Sequence, residues 1–245
     1  MTSSELWGRA SAERYDAEEG ESSSATALGP TLDFLARLAA GGRALEFAIG
    51  TGRVGVPLRE RGVPVAGIEL SEHMAAVLRR KVDEETLPVV LGDMATTTAP
   101  GEFALVYLVY NTISNLLTQD EQVECFRNAA RHLAPGGRFV IELEVPPLRR
   151  LPPGQVAVPF DVSARHLGFD TFDLVNQLLV SHHVTREEDG GYRRENSRHR
   201  YAWPAELDLM ARIAGLELER RVADWDDTPF TQDSEKHISV WRRPA

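Results

Sequence analysis

The stretch that decides the fold is residues 44–55, ALEFAIGTGRVG. It opens with a short apolar run, typical of a buried strand, and Gly50, Gly52 and Gly55 follow in the spacing GxGxxG. Glycines let a ligand approach the backbone closely, and the N-terminus of a following helix is electropositive. The stretch therefore predicts a strand, a turn and a helix that bind a nucleoside cofactor, without deciding which one.

Strand and helix patterns alternate around this stretch. Upstream, apolar residues at helical spacing follow Pro30 and end at Gly41-Gly42, which predicts a helix after a break at Gly29-Pro30. Thr118 and Glu121 form a capping-box sequence that predicts the start of a later helix. Alternation of this kind indicates an α/β fold with a doubly wound parallel sheet, which binds ligands at the carboxyl ends of its strands. The downstream strands are predicted at residues 63–70, 87–91, 103–110 and 138–144.

The alternation stops at Pro146-Pro147, and antiparallel signals replace it. Strands are predicted at residues 156–162, 172–185 and 192–202, and the last two flank the hairpin signal Asp189-Gly190-Gly191. Pro204 then opens a helix, and two final strands follow. We expect one domain with four parts: an N-terminal arm or lid at 1–29, a cofactor-binding core at 30–145, an antiparallel substrate-cover insert at 146–203, and the final helix and strands of the core at 204–245.

Composition narrows the classes of function. The 245 residues carry a net charge of −10, which disfavours a nucleic-acid substrate. The sequence has no apolar run long enough to span a membrane and no secretion signal, so we expect a cytoplasmic protein. The single cysteine, Cys125, excludes an intramolecular disulfide, and no Cys/His cluster has the spacing of a structural zinc site. We expect catalysis without a metal.

Four features bear on which cofactor binds: Glu69 suits any nucleoside with a ribose diol, whereas Glu46, Asp93 and residues 133–138 separate the candidate cofactors. Glu69 closes the second strand nineteen residues after Gly50, where a carboxylate can accept hydrogen bonds from both ribose hydroxyls. Glu46 lies inside the first strand, Asp93 stands in the turn Gly92-Asp93-Met94, and LAPGGR at residues 133–138 precedes the fifth strand. As an ordered set over residues 30–144, these features resemble the class I S-adenosylmethionine (SAM) dependent methyltransferases. The resemblance implies a Rossmann-like sheet of seven strands.

The resemblance also implies roles for individual residues. Glu69 holds the ribose, Asp93 accepts the adenine amino group, and Glu46 faces the methionyl ammonium through water. Ala48 stands where the commonest family turn has its first glycine, and we expect a backbone conformation there that alanine tolerates. The remaining cofactor-binding residues implied are Tyr15 on the arm, Gly50, Thr51 and Gly52 along the methionine and ribose, Leu70, Met74 and Met94 around the adenine, and Val109 at the reactive end.

Methyl transfer is an in-line displacement, which depends mainly on alignment and exclusion of water. Tyr110 and Asn111 follow the fourth strand, from which family members often contact the methyl group or the acceptor. A base helps an amine or hydroxyl acceptor, and His182 on the cover strand is a candidate because it shares a face with Leu178 and Val180. A structural histidine is the competing interpretation of His182.

The position of the insert is similar to that in small-molecule methyltransferases, including sugar N-methyltransferases of antibiotic pathways. We therefore expect methylation of an N or O atom of a small molecule by a monomer or homodimer, without a nucleic-acid or membrane partner. Two alternatives stay open: an NAD(P)-binding oxidoreductase, and a catalytically inactive SAM-binding module. The insert also carries arginines that form either a site for an anionic acceptor or a solvated hairpin face: Arg186, Arg193, Arg194, Arg198 and Arg200.

Overall fold

A computed structural model describes residues 7–18, 25–187 and 189–245 of the chain. Within those ranges no helix is both long and apolar enough to cross a membrane. The helices are α1 Arg9–Glu18, α2 Ala25–Ala39, α3 Gly55–Glu60, α4 Glu72–Arg79, α5 Gln119–His132 and α6 Pro204–Ile213. The strands are β1 Ala44–Phe47, β2 Val65–Glu69, β3 Val89–Leu91, β4 Phe103–Leu108, β5 Leu133–Glu144, β6 Ala157–Val162, β7 His166–Asp173, β8 Leu178–Arg186, β9 Tyr192–Arg200, β10 Glu217–Val222 and β11 Lys236–Arg242.

The main sheet has seven strands in the order β10-β11-β5-β4-β1-β2-β3. Strands β1 to β5 pair in parallel, and β11 pairs antiparallel with both β5 and β10. The predicted seven-stranded, mostly parallel, Rossmann-like sheet is therefore confirmed. Strands β2 and β3 lie on one side of β1, and β4 and β5 lie on the other, so the strand order reverses between β1 and β4. Sheets of this type bind ligands in the crevice at the carboxyl ends of the strands where the order reverses.

Local sequence explains why these elements begin and end where they do. Every residue of β1 and β2 is buried, as expected for strands covered on both faces. The Thr118 side chain accepts a hydrogen bond from Glu121 N at the start of α5, so the predicted capping box is present. Strand β5 begins at Leu133, earlier than predicted, because Leu133 already pairs with Phe103 before the irregular turn at Gly136, where φ is +78°.

The predicted helix start after Pro30 is wrong. Helix α2 begins at Ala25 and contains Pro30 in its interior. A proline removes one backbone donor, but Leu28 and Leu32 on either side of it are buried in the core. Burial of these apolar side chains outweighs the local preference for a break, because tertiary packing supplies most of the stability of a helix in a protein.

The insert forms a separate antiparallel sheet of four strands in the order β6-β7-β8-β9. The prediction of one strand over residues 172–185 is wrong, because that range contains the turn between β7 and β8. Asp173 Oδ1 accepts hydrogen bonds from Val175 N and Asn176 N, and Gln177 has a φ of +55°. An aspartate that accepts bonds from the next backbone groups is a turn signal, and the sequence offered it at Asp173.

Candidate active site

The predicted cofactor residues meet at one cavity in the crevice of the main sheet. The cavity opens to solvent, and the empty space in it and at its mouth amounts to about 850 Å³ beyond the ends of β1, β2, β3 and β4. Eleven of the twelve cofactor-binding residues named from the sequence line it, and Gly52 does not. Its walls are formed by Trp7, Tyr15, Glu46, Ala48, Ile49, Gly50, Thr51, Arg53, Val54, Glu69, Leu70, Met74, Gly92, Asp93, Met94, Val109, Tyr110, Thr112, Asn115 and Leu116.

The glycine turn differs from expectation at two positions. Ala48 has a φ of +51°, a left-handed conformation that strains an alanine, so the expectation of a tolerated conformation is wrong. Gly52 packs away from the cavity, since a Cβ at Gly52 would lie 2.8 Å from Val56 and 2.9 Å from Leu78. Gly52 is thus needed for packing of the turn against α3 and α4, whereas Gly50, with a φ of +60°, lines the cavity.

Glu69 joins two of the turns that border the cavity. Its Oε2 accepts a hydrogen bond from Gly50 N at 2.8 Å, and its Oε1 accepts one from Ser71 N at 2.7 Å. Burial raises the pKa of Glu69, and the backbone donors oppose that shift. A carboxylate has about four acceptor positions, so Glu69 keeps acceptor capacity for a diol at the cavity wall.

Glu46 is buried at the inner end of the cavity. The Tyr107 hydroxyl donates a hydrogen bond to its Oε2 at 3.0 Å. Burial raises the pKa of Glu46 to about 8, against the opposing effects of Tyr107 and of the positive charge of Arg53. A Cβ at Gly55 would lie 2.6 Å from Glu46 Oε2, which explains why the last glycine of the motif is needed.

The opposite end of the cavity suits a flat ring. Met74 and Met94 are buried, and Leu70 is 38% exposed at the rim. Asp93 Oδ1 accepts a hydrogen bond from Ala95 N at 2.7 Å, which fixes the carboxylate at the cavity edge. Apolar faces together with one fixed acceptor at the edge are the features that a purine with an exocyclic amine requires.

The N-terminal arm forms one wall of the cavity. Trp7 and Tyr15 line it and contact each other edge to face, with ring centroids 5.6 Å apart. The Ser71 hydroxyl donates to the carbonyl oxygen of Trp7 at 2.6 Å, and the Thr51 hydroxyl donates to Asp16 Oδ1 at 2.6 Å. Sequence reasoning missed Asp16, because nothing in a short polar segment indicates which carboxylate meets the turn.

The loop after β4 has an unusual backbone conformation. Tyr110 and Asn111 have φ values of +63° and +59°, which non-glycine residues rarely adopt. Tyr110 N donates to Glu142 Oε2 at 2.9 Å, and Asn111 Oδ1 accepts from Glu144 N at 2.7 Å. Tyr110 lines the cavity as predicted, whereas the Asn111 side chain clamps the end of β5 and is not part of the cavity wall.

Arg53 is a site residue that sequence reasoning missed. Its guanidinium lies 3.7 Å from the centroid of the Tyr110 ring. Both residues also border a second space of about 860 Å³, which continues from the first cavity toward Trp225 and Lys236. The only available signal was its place inside the GxGxxG turn, where its side chain has to lie near the ligand.

The antiparallel sheet β6-β7-β8-β9, which we call the cover sheet, turns one face toward the main domain. His199 Nδ1 lies 3.4 Å from Ser114 Oγ, and Glu195 forms an ion pair of 3.2 Å with Arg14 of α1. The strand pairing places Asp170 and His183 on this same face. We call these four residues of the sheet, Asp170, His183, Glu195 and His199, the inner polar face.

His182 does not belong to the inner polar face, so its assignment as a base beside the acceptor is wrong. It lies on the opposite face of the sheet, stacked on Phe169 at 4.6 Å, and its Nε2 is 2.9 Å from the Thr171 hydroxyl. These contacts give it the structural role that was the competing interpretation.

Burial shifts the pKa of several groups on the inner polar face and beside it. Burial lowers the pKa of His199 to about 4, and His183 adds to that shift. Burial also raises the pKa of Asp170 and of Glu144 at the end of β5. Among the described residues, no group of three or more His, Cys, Asp or Glu side chains is arranged to hold a metal ion.

Four arginines of the insert lie on the face of the sheet that carries His182, and Arg193 lies on the other face; the four are Arg186, Arg194, Arg198 and Arg200. Arg193 lies on the inner side and forms ion pairs with Glu187 and Glu195. Arg200 is buried and bonded to Glu206 at 2.7 Å, on the other side of β9. Since consecutive residues of a strand point to opposite faces, the basic cluster of the sequence is divided between the two sides of the sheet.

Comparison with known proteins agrees with this geometry. A family model described as a methyltransferase domain matches residues 44–137. The structure of the CcbJ methyltransferase from Streptomyces caelestis is 37% identical, with a TM-score of 0.86 over 98% of each chain. A dTDP-4-amino-2,3,4,6-tetradeoxy-D-glucose N,N-dimethyltransferase from Saccharopolyspora spinosa is 37% identical over 98 residues, which are 40% of this chain and 39% of that protein.

A third relative carries the donor itself. The structure of SAM-bound CalS10, an amino pentose methyltransferase from Micromonospora echinaspora, shares the fold with a TM-score of 0.71, at 21% identity over 94% of this chain and 95% of that one. The similarity to the CcbJ methyltransferase, at 37% identity over 98% of each chain, favours a methyltransferase over the alternative of an NAD(P)-binding oxidoreductase. The sheet, the cavity at its carboxyl edge and these similarities show that the chain belongs to the class I SAM-dependent methyltransferase family.

Proposed function

We propose that this enzyme transfers the methyl group of SAM to a nitrogen or oxygen atom of a small-molecule acceptor, with the donor held in the cavity at the ends of β1 to β4. One observation carries the proposal: Glu46, Glu69 and Asp93, from three neighbouring parallel strands, present carboxylates to a single cavity. SAM, when bound, supplies a methyl group on a positively charged sulfur.

The residues present fit that donor. Glu69 accepts hydrogen bonds from the ribose hydroxyls with the acceptor positions that Gly50 N and Ser71 N leave available. Asp93 accepts a bond from the adenine amino group, whose ring lies between the apolar side chains at that end. Glu46 faces the methionyl ammonium, and the approach of a positive charge favours its ionised form.

Catalysis rests on alignment and on exclusion of water. A well-oriented displacement gains about 7 to 11 kcal/mol from orientation, which requires a rigid site. Tyr110 and Asn111 provide rigidity, since Glu142 accepts a hydrogen bond from Tyr110 N and the Asn111 side chain accepts one from Glu144 N. The arm covers the donor. Displacement at a sulfonium methyl needs no Lewis acid, so we propose a metal-free reaction.

Nitrogen is the acceptor atom that the inner polar face favours. Glu144 and Asp170 place carboxyl groups near each other beside the end of β5, and these groups attract an amine. His199, whose pKa is about 4, is neutral at pH 7. Its Nε2 lies 2.7 Å from the Ser197 hydroxyl, and a rotation of that hydroxyl would let Nε2 accept a hydrogen bond from the amine proton. The relatives named for amino sugars act on nitrogen, and we propose an amine on a sugar-like small molecule for this enzyme.

Titration calorimetry with S-adenosylhomocysteine, followed by mass spectrometry of an acceptor panel, tests the proposal. The panel contains amino sugars, their hydroxyl analogues and the free amino acids. We expect binding of S-adenosylhomocysteine and a mass gain of one methyl group on an amino sugar. Absence of binding would refute the donor site, whereas binding without methylation of any acceptor would instead support an inactive SAM-binding module.

A further inference from the structure

Two histidines and an aspartate of the cover sheet form a chain of hydrogen bonds. His166 Nδ1 lies 2.6 Å from Asp161 Oδ2, and His166 Nε2 lies 3.1 Å from His183 Nδ1. An ionised carboxylate can only accept, so the proton of neutral His166 is on Nδ1, and its Nε2 accepts a hydrogen bond from His183 Nδ1. The unprotonated nitrogen of His183 is then Nε2, at the end of the chain away from His166.

The strand pairing places this chain on the inner side of the cover sheet. Asp161 is opposite Gly168, which is itself opposite His183, so all three share a face. A Cβ at Gly168 would overlap the Phe160 ring. That ring packs on His166 and His183, with centroid distances of 6.3 Å and 5.3 Å. The glycine therefore lets an aromatic ring hold the two histidines in place.

His183 borders the space between the cover sheet and the main domain. Its partner across the strands is Glu195, which forms an ion pair with Arg14 of α1. His199 is close enough to respond to the charge of His183, and it lies 3.4 Å from Ser114 in the loop after β4. The same loop lines the cofactor cavity. His183 thus stands beside the space in which an acceptor would meet the donor.

Titratable groups surround His183 from the three other strands of the cover sheet. Burial lowers the pKa of His183, and His166 adds to that shift, whereas Glu195 and Asp170 oppose it. His183 is therefore neutral at pH 7 and has a lone pair for a proton, while the two carboxylates attract a cationic amine. The surrounding groups are Asp161 on β6, His166 and Asp170 on β7, and Arg193, Glu195 and His199 on β9.

We propose that His183 is the base that deprotonates the amine of the acceptor, and that Asp161 and His166 are positioning residues that fix its tautomer. The arrangement follows the logic of a catalytic triad, in which a carboxylate acts on the base through a hydrogen bond. The inference rests on the proposed function, because it concerns the proton of the amine acceptor. In this assignment His199 orients the amine and His183 takes its proton.

Proton removal must precede methyl transfer, because an ammonium nitrogen has no lone pair. The N–H bond of the acceptor breaks as a bond to His183 Nε2 forms. The nitrogen lone pair then forms the new N–C bond while the C–S bond of the donor breaks, and the positive charge of the sulfonium passes to the methylated amine. Asp161 offsets the charge on His183 through His166, and the extra proton returns to water after the product leaves.

Long-range ¹H–¹⁵N NMR of the histidine rings tests the tautomers without an acceptor. In the full wild-type chain at pH 8, His166 and His183 should both carry their proton on Nδ1. An amide can donate as well as accept, so Asp161→Asn should move the proton of His183 toward Nε2. His182, on the other face of the sheet, should keep its tautomer in Asp161→Asn. A wild-type His183 protonated on Nε2 would overturn the inference.

Steady-state methylation of the amino sugar that gains a methyl group in the acceptor panel, measured from pH 6 to pH 10, tests the base. His183→Gln should lower kcat at pH 7 by about 100-fold or more, the usual contribution of a positioned base. The loss should shrink toward pH 10, where solvent deprotonates the amine. His182→Gln is a matched control, since His182 is the neighbouring residue, contacts Phe169 and Thr171, and should keep the wild-type profile when replaced.

Asp161→Asn should lower kcat at pH 7 by less than His183→Gln does. The double variant of Asp161 and His183 should be no slower than His183→Gln alone, because Asp161 acts only through His183. Additive losses in the double variant would overturn the positioning role of Asp161.

Two other kinetic results would overturn the inference. A loss in His183→Gln that is equal at pH 7 and pH 10 would leave His183 a structural role, and an unchanged kcat would mean that solvent removes the proton. If the wild type methylates no amine, the proposed function fails and the inference fails with it. If His183→Gln methylates the amine as well as the wild type does, the inference alone fails.

Discussion

Replacement of Glu46 by glutamine tests the electrostatics of the site most directly. Glu46 is 3% exposed, and burial raises its pKa from the usual 4.5 to about 8. Between these two pH values the unfolded chain releases the proton of Glu46, whereas the folded protein keeps it. The unfolded state then binds fewer protons, so the free energy of unfolding falls as the pH rises.

The magnitude follows from the size of the shift. One pKa unit corresponds to about 1.4 kcal/mol. The contribution that Glu46 makes to the free energy of unfolding below pH 4.5 should therefore decrease by about 5 kcal/mol by pH 8. Glutamine stays neutral throughout and has no such dependence. Other titrating groups affect both proteins alike, so the difference in stability between Glu46→Gln and wild type should change by about 4 kcal/mol in favour of the variant from pH 5 to pH 8.

Urea denaturation at pH 5, 6, 7 and 8, followed by far-UV circular dichroism, measures this difference. Tyr107→Phe is the companion variant: loss of the hydroxyl that donates to Glu46 removes a group that lowers its pKa. The pH dependence should therefore extend to higher pH in Tyr107→Phe. Parallel curves for wild type and Glu46→Gln would refute the reasoning, because they would mean that Glu46 ionises in the folded protein as it does in water.

Three further predictions concern other positions. Ala48→Gly should raise the free energy of unfolding by about 1 kcal/mol, because glycine relieves the left-handed strain at φ +51°; thermal denaturation measures it. Glu69→Gln should cost about 1 to 3 kcal/mol in urea denaturation and weaken S-adenosylhomocysteine binding at least tenfold in calorimetry, since an amide cannot accept both backbone N–H groups. His199→Gln should lower kcat for an amine acceptor at least tenfold while His182→Gln leaves it unchanged; equal effects in steady-state assays would contradict the orientation of the cover sheet.

The positions of Glu46, Glu69 and Asp93 could be predicted because they depend on strand order alone. Each carboxylate lies in or directly after a buried parallel strand, and parallel strands bring their carboxyl ends to one edge of the sheet. Apolar periodicity finds the strands and chain order supplies the crossovers. No side-chain detail is needed for this, so the carboxylates of the cavity could be predicted from the sequence. The exact ends of the strands could not.

The cover sheet shows where the same reasoning fails. Alternation correctly grouped His182 with Leu178 and Val180, but the choice of the inward face was wrong. A sheet that packs on an apolar core turns its apolar residues inward. Here His183 and His199 lie on the inner face, which Leu179 shares. Leu178 and Val180 lie on the other side with His182. Each face of this sheet carries both apolar and polar side chains, so alternation in one sequence does not reveal which face turns inward.

The stacking of Arg53 on Tyr110 was beyond sequence analysis for a different reason. Their contact joins two loops that follow different strands, and it exists only because Tyr110 adopts a left-handed backbone held by Glu142. Such strain costs about 1 to 3 kcal/mol and persists only where tertiary contacts enforce it. Propensity rules assign a tyrosine to ordinary regions of φ and ψ, so they fail at Tyr110. Strained residues are common at sites that need rigid alignment. The left-handed backbone at Tyr110 therefore supports the proposal that methyl transfer takes place at the end of β4.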